Sequence, residues 1–247
     1  MKNLVMTLLF AAGVFSANAY AADDHLHSGD IEIEVENGQL GTHGAGHSQT
    51  STGYGIFEGD FRDLAGGPYA TNAPGFDSHA GTFASNDIIG YKAVGSLWSW
   101  TGDNWTNSTS ATITLTGSLF ENTSWNSSGV SGDAIGALGQ AGSSGNIHEH
   151  LDFKISSSSG LPAVGAYFVT LQLISADWNN SFDGIVQGDK YETSNPFYLV
   201  FNNGLSAGAF HDSVHGLQAM AAVPEPSSYA LMFIGLALIG YQIRRKA

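Results

Sequence analysis

The sequence predicts an all-β protein, a β-sandwich with long Gly/Ser/Asn-rich loops. Three observations carry this expectation. Several stretches alternate apolar and polar residues with period two. Strong turn residues close them. Helical periodicity is scarce, and Gly makes up 32 of the 247 residues.

Taken in order, Asp30 to Glu36 alternates most clearly, and Asn37-Gly38 follows it as a hairpin turn. Ala111 to Thr116 and Leu151 to Ile155 repeat the pattern. Gly165 to Ser175 is apolar almost throughout and reads as a buried, central strand. Pro196 to Phe201 runs into another turn, Asn202-Asn203-Gly204. Short helices are expected at Ala134 to Ala141 and Ala207 to Met220. The segments 41–55, 66–85 and 105–145, rich in small polar residues, are expected as surface loops. This gives one β-sandwich domain over 22–206, with a linker or short helix over 207–223.

Composition narrows the function. With no Cys among 247 residues, disulfide scaffolds, thiolate metal sites and thiol nucleophiles are excluded. Formal net charge is −14. Lys2, Arg244, Arg245 and Lys246 lie at the extreme ends, leaving Arg62, Lys92, Lys154 and Lys190 between residues 22 and 223. That span holds 21 of the 22 acidic residues, so it carries −17. No nucleic-acid partner is expected, because little here would neutralise phosphates.

Both ends read as addresses. Lys2, the apolar run Leu4 to Phe15 and the small residues around Ala17-Asn18-Ala19 and Ala19-Tyr20-Ala21 predict a signal peptide over 1–21. At the other end, Val223-Pro224-Glu225-Pro226 precedes an apolar stretch to Ile243 and the cluster Arg244-Arg245-Lys246. Residues 224–247 therefore resemble a PEP-CTERM sorting signal: a Pro-Glu-Pro motif, a transmembrane helix and a basic tail. The resemblance implies processing by exosortase in a Gram-negative bacterium that makes extracellular polysaccharide. It also implies membrane anchoring through the C-terminal helix before processing, then the cell surface or matrix. The basic cluster suits the cytoplasmic side of such a helix.

Eight of the nine His fall in four pairs. His25/His27 and His148/His150 stand at i, i+2, which shares a face in a strand. His43 and His47 sit in a Gly-rich stretch able to fold around an ion. His211/His215 stand at i, i+4, a shared face in a helix, and His79 follows Asp77 by two residues. In one strand, His148, His150 and Asp152 would line one face while Leu151, Phe153 and Ile155 fill the core. Two imidazoles and a carboxylate suit zinc or another divalent metal. The metal-ligand candidates are thus His25, His27, His43, His47, His79, His148, His150 and Asp152, with Asp77 as an alternative carboxylate. The acidic row Asp30, Glu32, Glu34, Glu36 reads as the solvated face of an edge strand, or as a field that recruits cations.

Ile147 to Phe153 with Gly165 to Thr170 resembles a His-x-His strand followed by a Pro-Gly-x-Tyr strand in surface-anchored domains associated with metal ABC transporters. Here the Pro-Gly is altered to Pro162-Ala163-Val164-Gly165. His27-Ser28-Gly29-Asp30, Glu36-Asn37-Gly38 and Leu97-Trp98-Ser99-Trp100 are also similar to the PEP-CTERM family repressed by the zinc-uptake regulator. This implies zinc capture or handling under zinc limitation, with a metal ABC transporter as partner. The alternative is a structural or carbohydrate-binding component of the polysaccharide matrix, with Trp98, Trp100 and Trp105 as a stacking platform or as packing. No enzyme is expected: neither a His-Glu-x-x-His helix nor a Gly-x-Ser-x-Gly elbow occurs.

Overall fold

Ile31 and Ile33 point one way and Glu32 and Glu34 the other, so the first alternating stretch buries one edge and exposes the next. Asn37 and Gly38, at φ of 52° and 86°, supply the two left-handed residues of a tight turn, and the chain returns as a hairpin. A computed structural model describes residues 29–43, 48–50, 53–62, 67–181 and 184–220. In chain order the first strands are β1 (Ile31–Glu36), β2 (Gln39–His43), β3 (Ser48–Gln49), β4 (Gly55–Asp60), β5 (Ala70–Thr71), β6 (Phe76–Asp77), β7 (Ile88–Trp100) and β8 (Trp105–Thr106). There follow β9 (Ala111–Thr116), β10 (Asn122–Asn126), β11 (Gly129–Gly132), β12 (Ile135–Gln140), β13 (His148–Glu149) and β14 (Asp152–Ser157). The last are β15 (Gly165–Trp178), β16 (Ile185–Gln187) and β17 (Phe197–Asn203), followed by the helix α1 (Ala207–Met220).

The all-β class holds, with one helix among the described residues. The strands form three sheets, ordered β13-β6-β1-β2, β11-β10-β9-β14-β5 and β12-β7-β15-β17-β4-β3. All three contribute to one core: Ile31, Ile33 and Phe76 from the first, Ile113, Trp125 and Phe153 from the second, Leu171, Phe197 and Phe201 from the third. The largest sheet is covered on both faces. Tyr167, Val169 and Leu171 enter the main core, while Ala166 and Phe168 meet Val214 and Leu217 of α1. Two-sided burial explains why β15 reads as a nearly unbroken apolar run.

Three expectations are corrected. The segment Ala134 to Ala141 is strand β12, not a helix. Its Ile135 and Leu138 mimic helical spacing, but Gly136 lets the chain pass the Tyr91 hydroxyl, which a Cβ would meet at 2.2 Å. The 105–145 segment is mostly sheet rather than loop, carrying β8 to β12, and Trp125 is fully buried within it. Finally, β1 is not an edge strand: β2 flanks it antiparallel and β6 parallel.

Candidate metal centre

The four-stranded sheet brings distant segments together. β6 pairs β1 in parallel, with Ile31 opposite Phe76 and Glu32 opposite Asp77. β13 adds to the other side of β6, with His148 opposite Asp77. Ser78 ties these strands: its N–H donates to the Ile147 carbonyl at 3.0 Å, and its hydroxyl accepts the Ile147 N–H at 2.8 Å. This fixes His148 beside Asp77, with Nδ1 3.4 Å from Asp77 Oδ2. Asp77 Oδ1 accepts the Ser78 N–H at 2.8 Å.

The alternation expected across 148–155 survives in burial but not in pairing. Leu151, Phe153 and Ile155 are buried, and His148, His150 and Asp152 are exposed. The strand breaks at 150–151, however. Asp152 opens β14 in a different sheet, opposite Thr116. The carboxylate that joins the two imidazoles is Asp30, at the head of β1. One ligand atom from each of Asp30, His148 and His150 lies within 4.8 Å of the others. The two rings meet edge to face, 5.2 Å between centroids.

His150 is held in a defined tautomer. Its Nδ1 lies 2.9 Å from the Asn72 carbonyl oxygen. A carbonyl only accepts, so Nδ1 carries a proton, and when the ring is neutral Nε2 is the nitrogen that keeps a lone pair. Such a bond on the far nitrogen is how metal-ligating imidazoles are commonly oriented. Gly75 makes the room: a Cβ there would meet the ring at 2.5–2.8 Å. The Gly75 N–H also donates to Asp30 Oδ1 at 2.8 Å, positioning the carboxylate.

The remaining oxygen, Asp30 Oδ2, is buried without a hydrogen bond and lies 3.6 Å from His150 Nε2. With the ring neutral, an acceptor faces an acceptor. The gap exceeds the 2.7–2.9 Å of a charge-assisted hydrogen bond. It approaches the roughly 3.3 Å that separates two ligands on one zinc ion with bonds of 2.0–2.1 Å. His148, the third member of the cluster, is 39% exposed and lies beside Asp77.

The other candidates fall as follows. His43 and His79 both approach Glu32 on the same sheet, at 3.7 and 3.1 Å. His25, His27 and His47 lie outside the described residues. His211 and His215 lie side by side on α1, their rings tilted at 52° with centroids 4.1 Å apart. Burial raises Glu58 above the ordinary carboxylate value, and nearby His211 partly offsets this. Glu149 lies against Gly139 of β12, away from the two imidazoles. A polar groove of about 400 Å3 lies toward the turn of the β1–β2 hairpin, between Glu34, Glu36 and Glu192, without an imidazole in its lining.

The three tryptophans hold the helix. Trp105 Nε1 donates to the Ser213 carbonyl at 2.9 Å. Trp98 stacks on Phe168 at 5.9 Å, and Trp100 presses on Gly216, where a Cβ would meet its ring at 2.5 Å. Sequence reasoning passed over Asp30, Glu32 and Gly75 as site residues. The parallel β1–β6 pairing that assembles them joins segments some 45 residues apart and leaves no local pattern.

Among the described residues, fold and site define an all-β protein with a single packed helix and a His/carboxylate cluster on the outer face of a four-stranded sheet. Residues 222–246 match the model of the PEP-CTERM protein-sorting motif. The chain thus carries the sorting signal of an exported surface protein processed by exosortase. Among curated proteins no match is found. No solved structure matches either. Among the described residues no helix is long and apolar enough to cross a membrane; the expected sorting helix and signal peptide lie outside them.

Proposed function

We propose that this exported protein binds a divalent cation, with zinc the best fit, through Asp30, His148 and His150, and serves metal capture or handling at the cell surface. The observation that carries the reading is the buried Asp30 Oδ2, without a hydrogen bond, facing His150 Nε2 at 3.6 Å within the Asp30–His148–His150 cluster. Two nitrogens and one carboxylate oxygen suit zinc better than the all-oxygen preference of calcium or magnesium. Three protein ligands leave a coordination position open, which suits exchange of the ion with a partner. The net −17 of residues 22–223 would concentrate cations around the body.

In this reading residues 1–21 direct export, the β domain carries the metal and 224–247 is the sorting segment. Transfer to a metal ABC transporter under zinc limitation is supported by the sequence resemblances described above. The matrix alternative is weakened by the tryptophans, whose rings face α1 and its neighbours. The test is calorimetric titration of metal-free full-length protein with Zn2+, alongside elemental analysis. Binding should be lost in His148→Ala/His150→Ala and should weaken as pH falls, because protons compete for imidazole nitrogen. Unchanged binding in the double variant overturns the assignment.

A further inference from the structure

Four of the five tryptophans are spent on packing. Trp98, Trp100 and Trp105 hold α1. Trp125 is fully buried, and its Nε1 donates to the Val94 carbonyl at 3.3 Å. Trp178, the last residue of β15, differs from all of these. It is 42% exposed. Among the described residues its ring meets no other aromatic ring, and its Nε1–H has no protein acceptor.

Register explains where it stands. Gln140 of β12 lies opposite Ile88 of β7, and Ile88 opposite Ala176 of β15. Directly opposed residues share a face. Trp178, two residues on from Ala176, shares it too. At this end of the sheet a cavity of about 290 Å3 opens, lined by Trp178 with the polar residues Asn86, Gln140 and Asp177. Ile88 and Ala176 also line it but are nearly closed to solvent, so the indole is its one large apolar surface. Lys190 reaches the cavity with its charge already spent. Its Nζ donates to Asp87, which also accepts the Tyr191 hydroxyl at 2.7 Å.

These groups describe a ligand. An open indole face takes a flat apolar partner. The surrounding groups hydrogen-bond in both directions: the Asn86 and Gln140 amides donate and accept, the Asp177 carboxylate accepts, and the indole N–H donates. Two of them are held in place. Asn86 sits at a φ of 72° with its backbone N–H on the Ala141 carbonyl at 2.9 Å, and Gln140 Nε2 donates to the Asn86 carbonyl at 3.2 Å. A pyranose ring has the matching chemistry: C–H bonds on one face, and hydroxyls around its edge that both donate and accept. Its size agrees, because the cavity lies at the lower end of the roughly 300–1,000 Å3 of small-ligand sites. Charge selects a neutral sugar. Asp177 has no ion-pair partner among the described residues, and the body at −17 repels a uronic acid.

We infer that the cavity beside Trp178 binds a single neutral saccharide residue, stacked on the indole and hydrogen-bonded by Asn86, Gln140 and Asp177. It lies in a different sheet from the Asp30–His148–His150 cluster and shares no residue with it. It therefore stands whether or not that cluster holds a metal.

The experiment applies full-length protein, with chelator present, to an array of neutral-hexose, amino-sugar and uronic-acid oligosaccharides. Hits are repeated by calorimetry, with the free monosaccharide as competitor. Wild type should bind neutral glycans, and the monosaccharide should compete. Trp178→Ala should weaken binding about tenfold or more, the scale of losing a central aromatic contact. Trp178→Phe should keep part of the affinity, and Trp98→Phe, against α1, all of it. Far-UV circular dichroism checks folding; if Trp178→Ala does not fold, Gln140→Ala/Asp177→Ala carries the same expectation. The site is overturned if no neutral glycan binds, if binding is confined to uronic acids or amino sugars, or if the folded variants bind like wild type. Competition by the polymer alone overturns the single-residue site.

Discussion

Replacing Asp30 by Asn separates folding from binding, because the two respond in opposite directions. The amide matches the carboxylate in shape and keeps Oδ1 as acceptor for the Gly75 N–H at 2.8 Å. Its NH2 takes the place of Oδ2, the buried oxygen without a hydrogen-bond partner, and faces His150 Nε2 across 3.6 Å. A donor then meets an acceptor. An unsatisfied buried polar group costs about 1–3 kcal/mol, so the metal-free variant should be more stable by up to that amount. At about 2–4 °C per kcal/mol for a domain of this size, Tm should rise by a few degrees. Metal binding should move the other way. Outer-shell substitutions commonly reduce affinity about 10–100-fold, and loss of an anionic ligand should do at least as much. Wild type with free Zn2+ at 100 times its Kd should gain about 2.7 kcal/mol, and a variant weakened about 10–100-fold only about 0.4–1.4 kcal/mol at the same concentration. Thermal melts with and without Zn2+ read both effects. A metal-free variant less stable than wild type, together with an unchanged Zn2+-induced shift, would refute the reasoning.

Four further outcomes are expected. Gly75→Ala places a Cβ 2.5–2.8 Å from the His150 ring; the partly exposed ring should swing outward, so zinc titration should show weakened binding with a stability loss of about 1–3 kcal/mol at most. In Gly216→Ala, helix propensity favours Ala by about 0.8–1.0 kcal/mol. The 2.5 Å approach to Trp100 opposes it with about 1–3 kcal/mol of overpacking, so Tm should fall; a rise of the size propensity alone gives would mean that Trp100 does not pack there. Glu58 titrates above its ordinary 4.5 through burial, offset in part by His211. Its contribution to stability is therefore present below about pH 4.5 and lost as pH rises through the raised value, so Glu58→Gln should raise Tm at pH 7 and not at pH 4. Asp87 titrates below its ordinary 3.8: burial raises it, but hydrogen bonds from Lys190, Tyr191 and the Ala84 N–H, with the Lys190 charge, outweigh that. This contribution is present above about pH 3.8 and lost as pH falls through the depressed value. Asp87→Asn should thus melt lower than wild type at pH 7, with the difference closing in melts below pH 3.

Local pattern and long-range pairing contributed differently to what could be read in advance. The alternating stretch 111–116 coincides with β9, and the apolar run 165–175 lies within β15, at the interior of the largest sheet. Both signals are local, since side-chain direction follows from position along one strand. The Pro-Glu-Pro segment is legible for a similar reason: such a signal is read along the chain itself, and residues 222–246 match the motif. Glycine-rich segments misled. In β12, Gly136 and Gly139 serve close approaches to Tyr91 and Glu149, neighbours that local sequence does not reveal.

Composition alone set the metal chemistry available to this chain: no thiolate, nine imidazoles and an excess of carboxylates. Spacing along the chain set which His could share a face. Which carboxylate meets His148 and His150 was decided by folding. Spacing favoured Asp152, four residues from His148, but the strand break sends Asp152 into another sheet. Asp30 takes its place because β1 pairs in parallel with β6, and β6 in turn carries β13. A row of cross-strand neighbours is a property of register between segments. Its members, residues 32, 43, 77 and 148, are brought together by hydrogen bonding and a shared core rather than by any periodicity along the chain.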